Sequence, residues 1–107
     1  LVEYALDPDA LTAELIWSWT DKELPYTVFS RNGGNAEAVP GGRALLTHSQ
    51  LLKIPGDGSS PAFSLIQMVQ KNGEETIKEW DLKVENPDEN RSVRVYRAHY
   101  LPSLYPQ

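Results

Sequence analysis

The chain has 107 residues, which is enough for one hydrophobic core and too few for two, so we expect residues 1–107 to form a single domain. Hydrophobic residues make up 40% and charged residues 23%, a composition typical of a folded globular protein rather than a disordered one. The net charge of −5 disfavours a nucleic-acid partner, whose phosphates require a positive surface, and the lack of cysteine excludes disulfides and thiolate zinc sites.

The sequence contains no pattern typical of a membrane or export segment. No run approaches the ~20 apolar residues that a membrane helix needs. Leu1-Val2-Glu3-Tyr4 has neither the charged region nor the apolar region of a signal peptide. We therefore expect no membrane insertion, and both a secreted and a cytoplasmic location stay open.

The first predicted element is a short helix. Asp7 can cap it and Pro8 can occupy its first position, so we predict a helix near Pro8–Leu15 followed by a strand near Ile16–Thr20. The apolar residues of this helix are too few to close a core of their own, and pairing about a two-fold axis would cover them. We therefore expect segment 1–15 to form the interface of a homodimer through Ala10, Leu11 and Leu15.

The middle of the chain alternates between strand-like runs and turn-rich stretches. Tyr26–Ser30 is rich in β-favouring residues and predicts a strand. Asn32–Gly42 predicts a long loop because of its glycines, asparagines and proline. Arg43–Ile54 predicts one or two short strands, and Pro55–Pro61 ends them with another turn-rich stretch.

The last third predicts three antiparallel strands, at Ala62–Gln70, Glu75–Val84 and Ser92–Tyr100. Asn72-Gly73 joins the first two, and this dipeptide best tolerates the two positive φ angles of a type I′ turn. The polar stretch Glu85–Asn90 predicts a loop before the third strand. The resulting set of six or seven short strands is typical of an all-β sandwich.

Two histidines are the candidates for acid–base chemistry, because His48 and His99 are the only side chains that titrate near neutral pH. No Gly-x-Ser-x-Gly motif or other nucleophile signature accompanies them. We interpret both as ordinary strand residues and expect no enzymatic activity.

The acidic residues of the chain cluster late, and paired carboxylates can serve a hydrolase. Strict alternation along Glu75–Val84 places a mostly charged set on one face and Trp80 and Leu82 on the other. We interpret the charged face as solvated, so a small hydrolase is the least favoured class. Glu85–Asn90 offers oxygen ligands without the full calcium-loop pattern, and we expect no metal and no cofactor. The charged set is Glu75, Glu79, Asp81 and Lys83, with Ile77 among them.

The aromatic residues favour binding over catalysis. Tryptophan and tyrosine rings stack on sugars and give large contact areas at protein interfaces. We expect Trp17 and Trp80 to belong to the core, whereas Trp19 lies near the surface because polar residues surround it.

The chain resembles the fungal immunomodulatory proteins, which are small, cysteine-free and lectin-like. The stretch Leu15–Thr27 is similar to that family's Trp, Lys-x-Leu and Tyr-Thr pattern, and Pro87-Asp88-Glu89-Asn90 to its final turn. Lys71-Asn72-Gly73 is similar to a family turn of the x-Asp-Gly type. The family's Trp-Gly-Arg-Gly loop is replaced here by Phe29-Ser30-Arg31-Asn32-Gly33-Gly34.

This resemblance implies an immunoglobulin-like or fibronectin-III-like antiparallel β-sandwich that dimerises through its N-terminal helix. It implies a lectin-like module that binds glycans or cell-surface glycoproteins. The alternative is a protein-directed binder, such as a small protease inhibitor or a viral or phage structural module, which would use the Asn32–Gly42 loop. The expected ligand-binding residues are Trp19, Tyr26, Arg31, Thr76 and Tyr100.

Overall fold

The computed structural model describes residues 1–30 and 32–104. The chain is mostly β, as predicted, and its strands form two antiparallel sheets. β1 and β2 form a hairpin, and the other four strands form a main sheet in the order β3-β4-β5-β6. The strands are β1 (Val2–Asp7), β2 (Thr12–Ser18), β3 (Asn35–Val39), β4 (Arg43–Leu52), β5 (Ala62–Asn72) and β6 (Glu75–Val84).

The main sheet is buried at its centre and exposed at its edges. β4 and β5 lie between neighbours, and their consecutive apolar residues are buried on both faces of the sheet. The edge strands β3 and β6 are largely exposed. We call the face that carries Leu46 and Val69 the front face, and the face that carries Leu45 and Met68 the back face.

The N-terminal part of the chain covers the front face. Trp17, near the end of β2, packs in a buried cluster with Ala44, Leu46 and Val69. The chain then runs on through residues 19–30, which bend at 23–26 and pack along the same face. Its alternate residues Leu24, Tyr26 and Val28 contact the buried Leu51, Phe63 and Leu65.

The C-terminal part covers the back face. Residues 93–100 cross the strands of the main sheet instead of forming a ladder with one of them. Their N–H groups donate to acceptors on β5, then β4 and then β3. These bonds are Val93 to Ala62 O at 2.9 Å, Val95 to Ser64 Oγ at 2.8 Å, Ala98 to Thr47 Oγ1 at 3.0 Å and Tyr100 to Glu37 Oε2 at 3.2 Å.

The predicted N-terminal helix is wrong, since the described residues contain strands and turns but no helix. Asp7 Oδ1 does accept the N–H groups of Asp9 and Ala10, both at 3.0 Å, as a helix cap would. Here the same bonds close the turn between β1 and β2, and Leu11 completes that turn with a φ of 55°. A capping side chain stabilises either a turn or a helix start, so the local signal does not distinguish them.

The strands predicted at Tyr26–Ser30 and Ser92–Tyr100 are also wrong, for a shared reason. Both segments lack regular secondary structure, and both place alternate side chains on a face of the main sheet. Neither belongs to a sheet ladder. Period-two hydrophobicity reports an extended chain with one buried side, whether or not its backbone pairs with a strand.

Two predicted turns differ in detail from the structure. Asn32–Gly42 is not a free loop, because Asn35–Val39 pairs with β4 as strand β3. The predicted hairpin of β5 and β6 is confirmed, but Asn72 still pairs with Glu75, and Gly73 opens the loop with a φ of 64°. A glycine with positive φ at the first loop position fits a type II′ turn rather than type I′.

The predicted face pattern of β6 is broken by a bulge. Trp80 pairs with Met68 and Lys78 with the next residue, Val69, so Glu79 is the extra residue. Trp80 therefore lies on the back face together with Ile77, whereas Lys78 lies on the front face. Trp80 is 44% exposed, so the expectation that it belongs to the core is wrong.

Candidate functional site

A cleft of about 690 Å³ opens on the front side, between the start of β6 and the chain that leaves β2. Trp19 is half-buried in its wall and packs against the front-face cluster. Leu1 and Trp19 exchange two main-chain hydrogen bonds, both of 3.0 Å, which prolong the hairpin ladder to the edge of the cleft. The polar part of the lining includes Thr20, Asp21, Lys22, Thr76 and Lys78.

A network of charged and amide groups lies at the base of this cleft. The Asp21 side chain is only 2% exposed, and its Oδ2 accepts hydrogen bonds from Lys78 Nζ at 2.7 Å and Gln67 Nε2 at 3.0 Å. Its Oδ1 accepts the N–H of Glu23 at 3.0 Å. Lys78 also donates to Asp81 at 2.8 Å. The buried carboxylate is thus fully bonded, as a buried charge must be.

The network continues to His48 through the amide of Gln67. Because a carboxylate only accepts hydrogen bonds, Gln67 must turn its NH₂ group to Asp21 and its Oε1 to His48, whose Nε2 lies 3.0 Å away. His48 therefore carries its proton on Nε2 and donates it. Burial disfavours the imidazolium, so the pKa of His48 is lowered from its ordinary value.

Asp21 and Lys78 both keep their charges near neutral pH. Burial alone would raise the pKa of Asp21, but the hydrogen bonds from Lys78, Glu23 and Gln67, with the Lys78 charge, outweigh it and hold that pKa below its ordinary value. The hydrogen bonds to Asp21 and Asp81 raise the pKa of Lys78 well above its usual range. Groups that do not change protonation near neutral pH make poor general acids and bases, and Asp21 and Lys78 therefore present fixed charges in the cleft.

The structure separates the expected ligand-binding residues. Trp19 and Thr76 line the same cleft, and the Thr76 hydroxyl accepts a 2.9 Å hydrogen bond from Trp17 Nε1. Tyr26 lines the neighbouring groove and packs edge-on against Phe63. Tyr100 lies on the back face, beneath the guanidinium of Arg43. Arg31 lies outside the described residues.

The hairpin forms a second candidate site, because most of it extends past the main sheet into solvent. A bulge at Ile16 places Trp17 opposite Glu3 and Leu15 opposite Tyr4, so Leu15 turns away from the front face. We call the surface on this outward side the hairpin apolar face. Its large side chains are Val2, Tyr4, Leu6 and Leu15, which are 62%, 53%, 76% and 51% exposed.

The expected dimerisation residues belong to this hairpin rather than to a helix. Ala10 and Leu11 lie in its turn, where Leu11 is 88% exposed, and Leu15 lies on its apolar face. That they form a dimer interface stays a prediction. These residues lie on a two-stranded sheet, whose shape and neighbours differ from those of the predicted helix.

Sequence reasoning missed Asp21, Lys78 and Gln67 as a set. One signal was available, because Gln67 interrupts the apolar run Leu65–Val69 of a central strand, and a polar residue there needs a buried partner. No pattern in the sequence identifies Asp21 as that partner, since the two residues are 46 positions apart.

Comparisons with known proteins give no relative for this chain. No protein-family model matches it, and no curated protein or solved structure is significantly similar to it. Among residues 1–30 and 32–104, no three His, Cys, Asp or Glu side chains come together in a way that could hold a metal ion. The same residues include no helix that is long and apolar enough to cross a membrane.

Proposed function

We propose that the protein is a non-enzymatic binding module that engages a protein partner through the apolar face of its hairpin. The observation that carries this proposal is the exposure of Val2, Tyr4, Leu6 and Leu15 together on one side of a protruding element. A contiguous apolar surface of this kind marks an interaction site far more often than scattered exposed residues do.

The stability of the hairpin supports the same conclusion. An isolated two-stranded sheet is only marginally stable in water, and this one is attached to the main sheet at one end. Trp17 supplies the packing and the bond to Thr76, and Lys71 Nζ donates to Ile16 O at 2.8 Å. For each apolar side chain of the exposed part that a partner buries fully, binding would gain roughly 1.5–3 kcal/mol of free energy.

A binding role is also favoured over catalysis by the surroundings of the titratable groups. His48 is engaged with Gln67, and His99 faces Glu37 with its Nδ1 3.4 Å from the carboxylate. The Asp21–Lys78 pair is held in its charged state. None of these groups contacts a serine or threonine hydroxyl in the hydrogen bonds of the described residues.

The proposal is tested by photo-crosslinking from two neighbouring hairpin positions. A benzophenone side chain at Leu6 lies on the apolar face, whereas one at Ala5 lies on the opposite face of the same strand. In the cells that produce the protein, we expect a discrete protein adduct from position 6 and much less from position 5. That adduct should disappear when Leu15→Asp is added. Equal adducts from both positions, or none from position 6, would contradict the proposal.

A second candidate function is glycan binding in the front cleft, which the resemblance to lectin-like proteins motivates. The observation that favours it is Trp19 in a wall beside the hydrogen-bonding groups of Thr76 and Lys78. A sugar site needs such an aromatic ring next to polar groups. On a glycan array we expect Trp19→Ala to abolish binding and Trp80→Ala, on the opposite face of the sheet, to retain it. An unmodified protein that binds no glycan would exclude this function.

The immunoglobulin-like or fibronectin-III-like classification remains a proposal. The two antiparallel sheets are compatible with a β-sandwich. The main sheet is a meander, whereas immunoglobulin-like domains connect their sheets by Greek-key crossings.

A further inference from the structure

We propose that the ion pair between Asp21 and Lys78 is a latch that fixes the orientation of the hairpin on the main sheet. This inference rests on the proposed function of the hairpin and adds how that site is controlled, since the orientation determines how the hairpin apolar face meets its partner. A latch here means a contact whose release lets the hairpin tilt about its base while the main sheet stays folded.

The hairpin is attached to the main sheet through side chains at its base. Within the described residues, neither β1 nor β2 pairs with a strand of the main sheet. Trp17 packs on the front face and donates a hydrogen bond to Thr76. Lys71 Nζ donates to the carbonyl of Ile16. The front cleft lies between this base and the start of β6, so a tilt of the hairpin would open or close it.

The ion pair joins the two sides of this cleft at its base. The hairpin ladder ends where Leu1 and Trp19 exchange their two main-chain hydrogen bonds, and Asp21 follows two residues later. Lys78 lies on β6, two residues after Thr76. The 2.7 Å contact between Asp21 and Lys78 therefore ties the chain that leaves the hairpin to the edge strand of the main sheet.

Burial makes the pair strong while it is closed. The Asp21 side chain is 2% exposed, and a carboxylate at such a position needs its countercharge as well as its hydrogen bonds. Without the Lys78 charge, the carboxylate is stabilised most by moving into water. Segment 19–23, which carries it, would then leave the cleft together with the base of the hairpin.

The pair can also open, because Lys78 has a second carboxylate partner. Its Nζ lies 2.8 Å from Oδ2 of Asp81 on the same strand, and the Asp81 side chain is 35% exposed. When Asp21 leaves, Lys78 keeps this second ion pair and the Asp21 carboxylate reaches water. Water that enters the opened cleft can replace Asp21 as the acceptor for Gln67. Neither arrangement leaves a charge buried and unpaired, so both are accessible to the molecule.

The test is hydrogen exchange of the full-length chain with the lysine charge removed. Lys78→Met keeps the apolar stem and should speed amide exchange in β1 and β2 roughly tenfold or more, with β4 and β5 unchanged. Lys78→Arg keeps the charge and should restore slow exchange. Lys83→Met is the matched control, since this lysine of the same strand pairs with Glu85, at 3.4 Å, and should leave exchange of the hairpin unchanged.

A second variant separates loss of the latch from the effect of a buried unpaired charge. Asp21→Asn combined with Lys78→Met removes both charges, so no countercharge is needed, and β1 and β2 should still exchange faster than in the unmodified chain. Unchanged exchange of the hairpin in both variants overturns the inference. Equal acceleration in β4 and β5 also overturns it, because the pair would then stabilise the whole fold.

Crosslinking from position 6 measures the consequence for the partner. A hairpin that tilts freely must be ordered on binding, so the adduct from position 6 should decrease in Lys78→Met and return in Lys78→Arg. An unchanged adduct beside faster exchange would overturn the control of binding by orientation. If the unmodified chain gives no adduct, the proposed function fails, and the exchange result alone decides whether the pair fixes the hairpin.

Discussion

The indole Nε1 of Trp17 donates a 2.9 Å hydrogen bond to the hydroxyl of Thr76, and this contact joins the hairpin to the edge strand of the main sheet. The rest of the Trp17 side chain is buried with Ala44, Leu46 and Val69. Trp17 thus supplies both packing and a hydrogen bond that hold the hairpin, beside the bond from Lys71 Nζ to Ile16 O. The bulge at Ile16 lets Trp17 face inward while Leu15 faces outward.

Two substitutions of Trp17 should therefore distinguish the contribution of its packing to stability from that of its hydrogen bond. Trp17→Phe keeps most of the buried ring and should lower the free energy of unfolding by about 1 kcal/mol through the lost hydrogen bond. Trp17→Ala also empties the front-face cluster and should cost about 3–5 kcal/mol. Urea denaturation measures both values. Hydrogen exchange should show loss of protection in β1 and β2 for the alanine variant; a hairpin that stays protected would mean that other contacts hold it.

The stability of the β5–β6 turn should depend on the positive φ of Gly73 and not on a lack of space for a side chain. Its φ is 64°, and a Cβ at this position would meet no atom within 4 Å. Gly73→Val should lower the free energy of unfolding by about 1–2 kcal/mol, because a β-branched residue resists positive φ. Gly73→Asn should cost less, since asparagine tolerates that region. Equal melting temperatures for the two variants would contradict this account.

The segment that crosses the back face should be sensitive to Ser64. This serine is fully buried, and its Oγ accepts the N–H of Val95 at 2.8 Å. Ser64→Ala leaves that N–H without an acceptor and should cost about 1–3 kcal/mol. In hydrogen exchange, the Val95 amide should lose protection, while the Ala98 amide, bonded to Thr47, should keep it. Unchanged exchange at Val95 would show that the crossing segment is held by other groups.

Stability should fall in two stages as the solution is acidified. Because the pKa of folded His48 is lowered, the unfolded chain binds a proton first as the pH falls below about 6.5, and the folded state loses stability from there down to the folded pKa. Above about 6.5 His48 is neutral in both states and contributes no pH dependence. Asp21, whose pKa is also lowered, stabilises the fold above about 3.9 and stops doing so as the pH falls through its folded pKa.

Thermal unfolding of His48→Gln tests the upper stage. Glutamine can still donate a hydrogen bond to Gln67 but does not titrate, so the decrease below about pH 6.5 should be absent and the lower stage should remain. His99→Gln is the matched control, because this exposed histidine lies on the other side of the sheet and should leave both stages in place. A two-stage decrease that persists in His48→Gln would assign the upper stage to another group.

The hydrophobic pattern of the chain predicted several of its strands but missed β1 and β3, placed a helix over the start of β2 and wrongly buried Trp80. It correctly located β5 and β6, the hairpin between them and the burial of Trp17, and it placed strand structure within Arg43–Ile54, where one or two short strands were expected and one strand of ten residues is found. It could not predict which extended segments pair. The Tyr26–Ser30 and Ser92–Tyr100 segments have the alternation of strands, but neither belongs to a sheet. In the second segment, the N–H groups of Val95 and Ala98 instead donate to the distant side chains of Ser64 and Thr47.

The sequence by itself determined a mostly β chain with strong turns and a largely apolar pair of central strands, because these depend on neighbouring residues. Only the tertiary structure decided that Asp7 closes a hairpin rather than starts a helix, since its hydrogen bonds to the next residues are the same in both. It also decided that bulges at Ile16 and Glu79 turn Leu15 and Trp80 to exposed surfaces, and that Asp21 meets Gln67 and Lys78. Such features depend on partners far apart in the chain, whose approach no local pattern encodes.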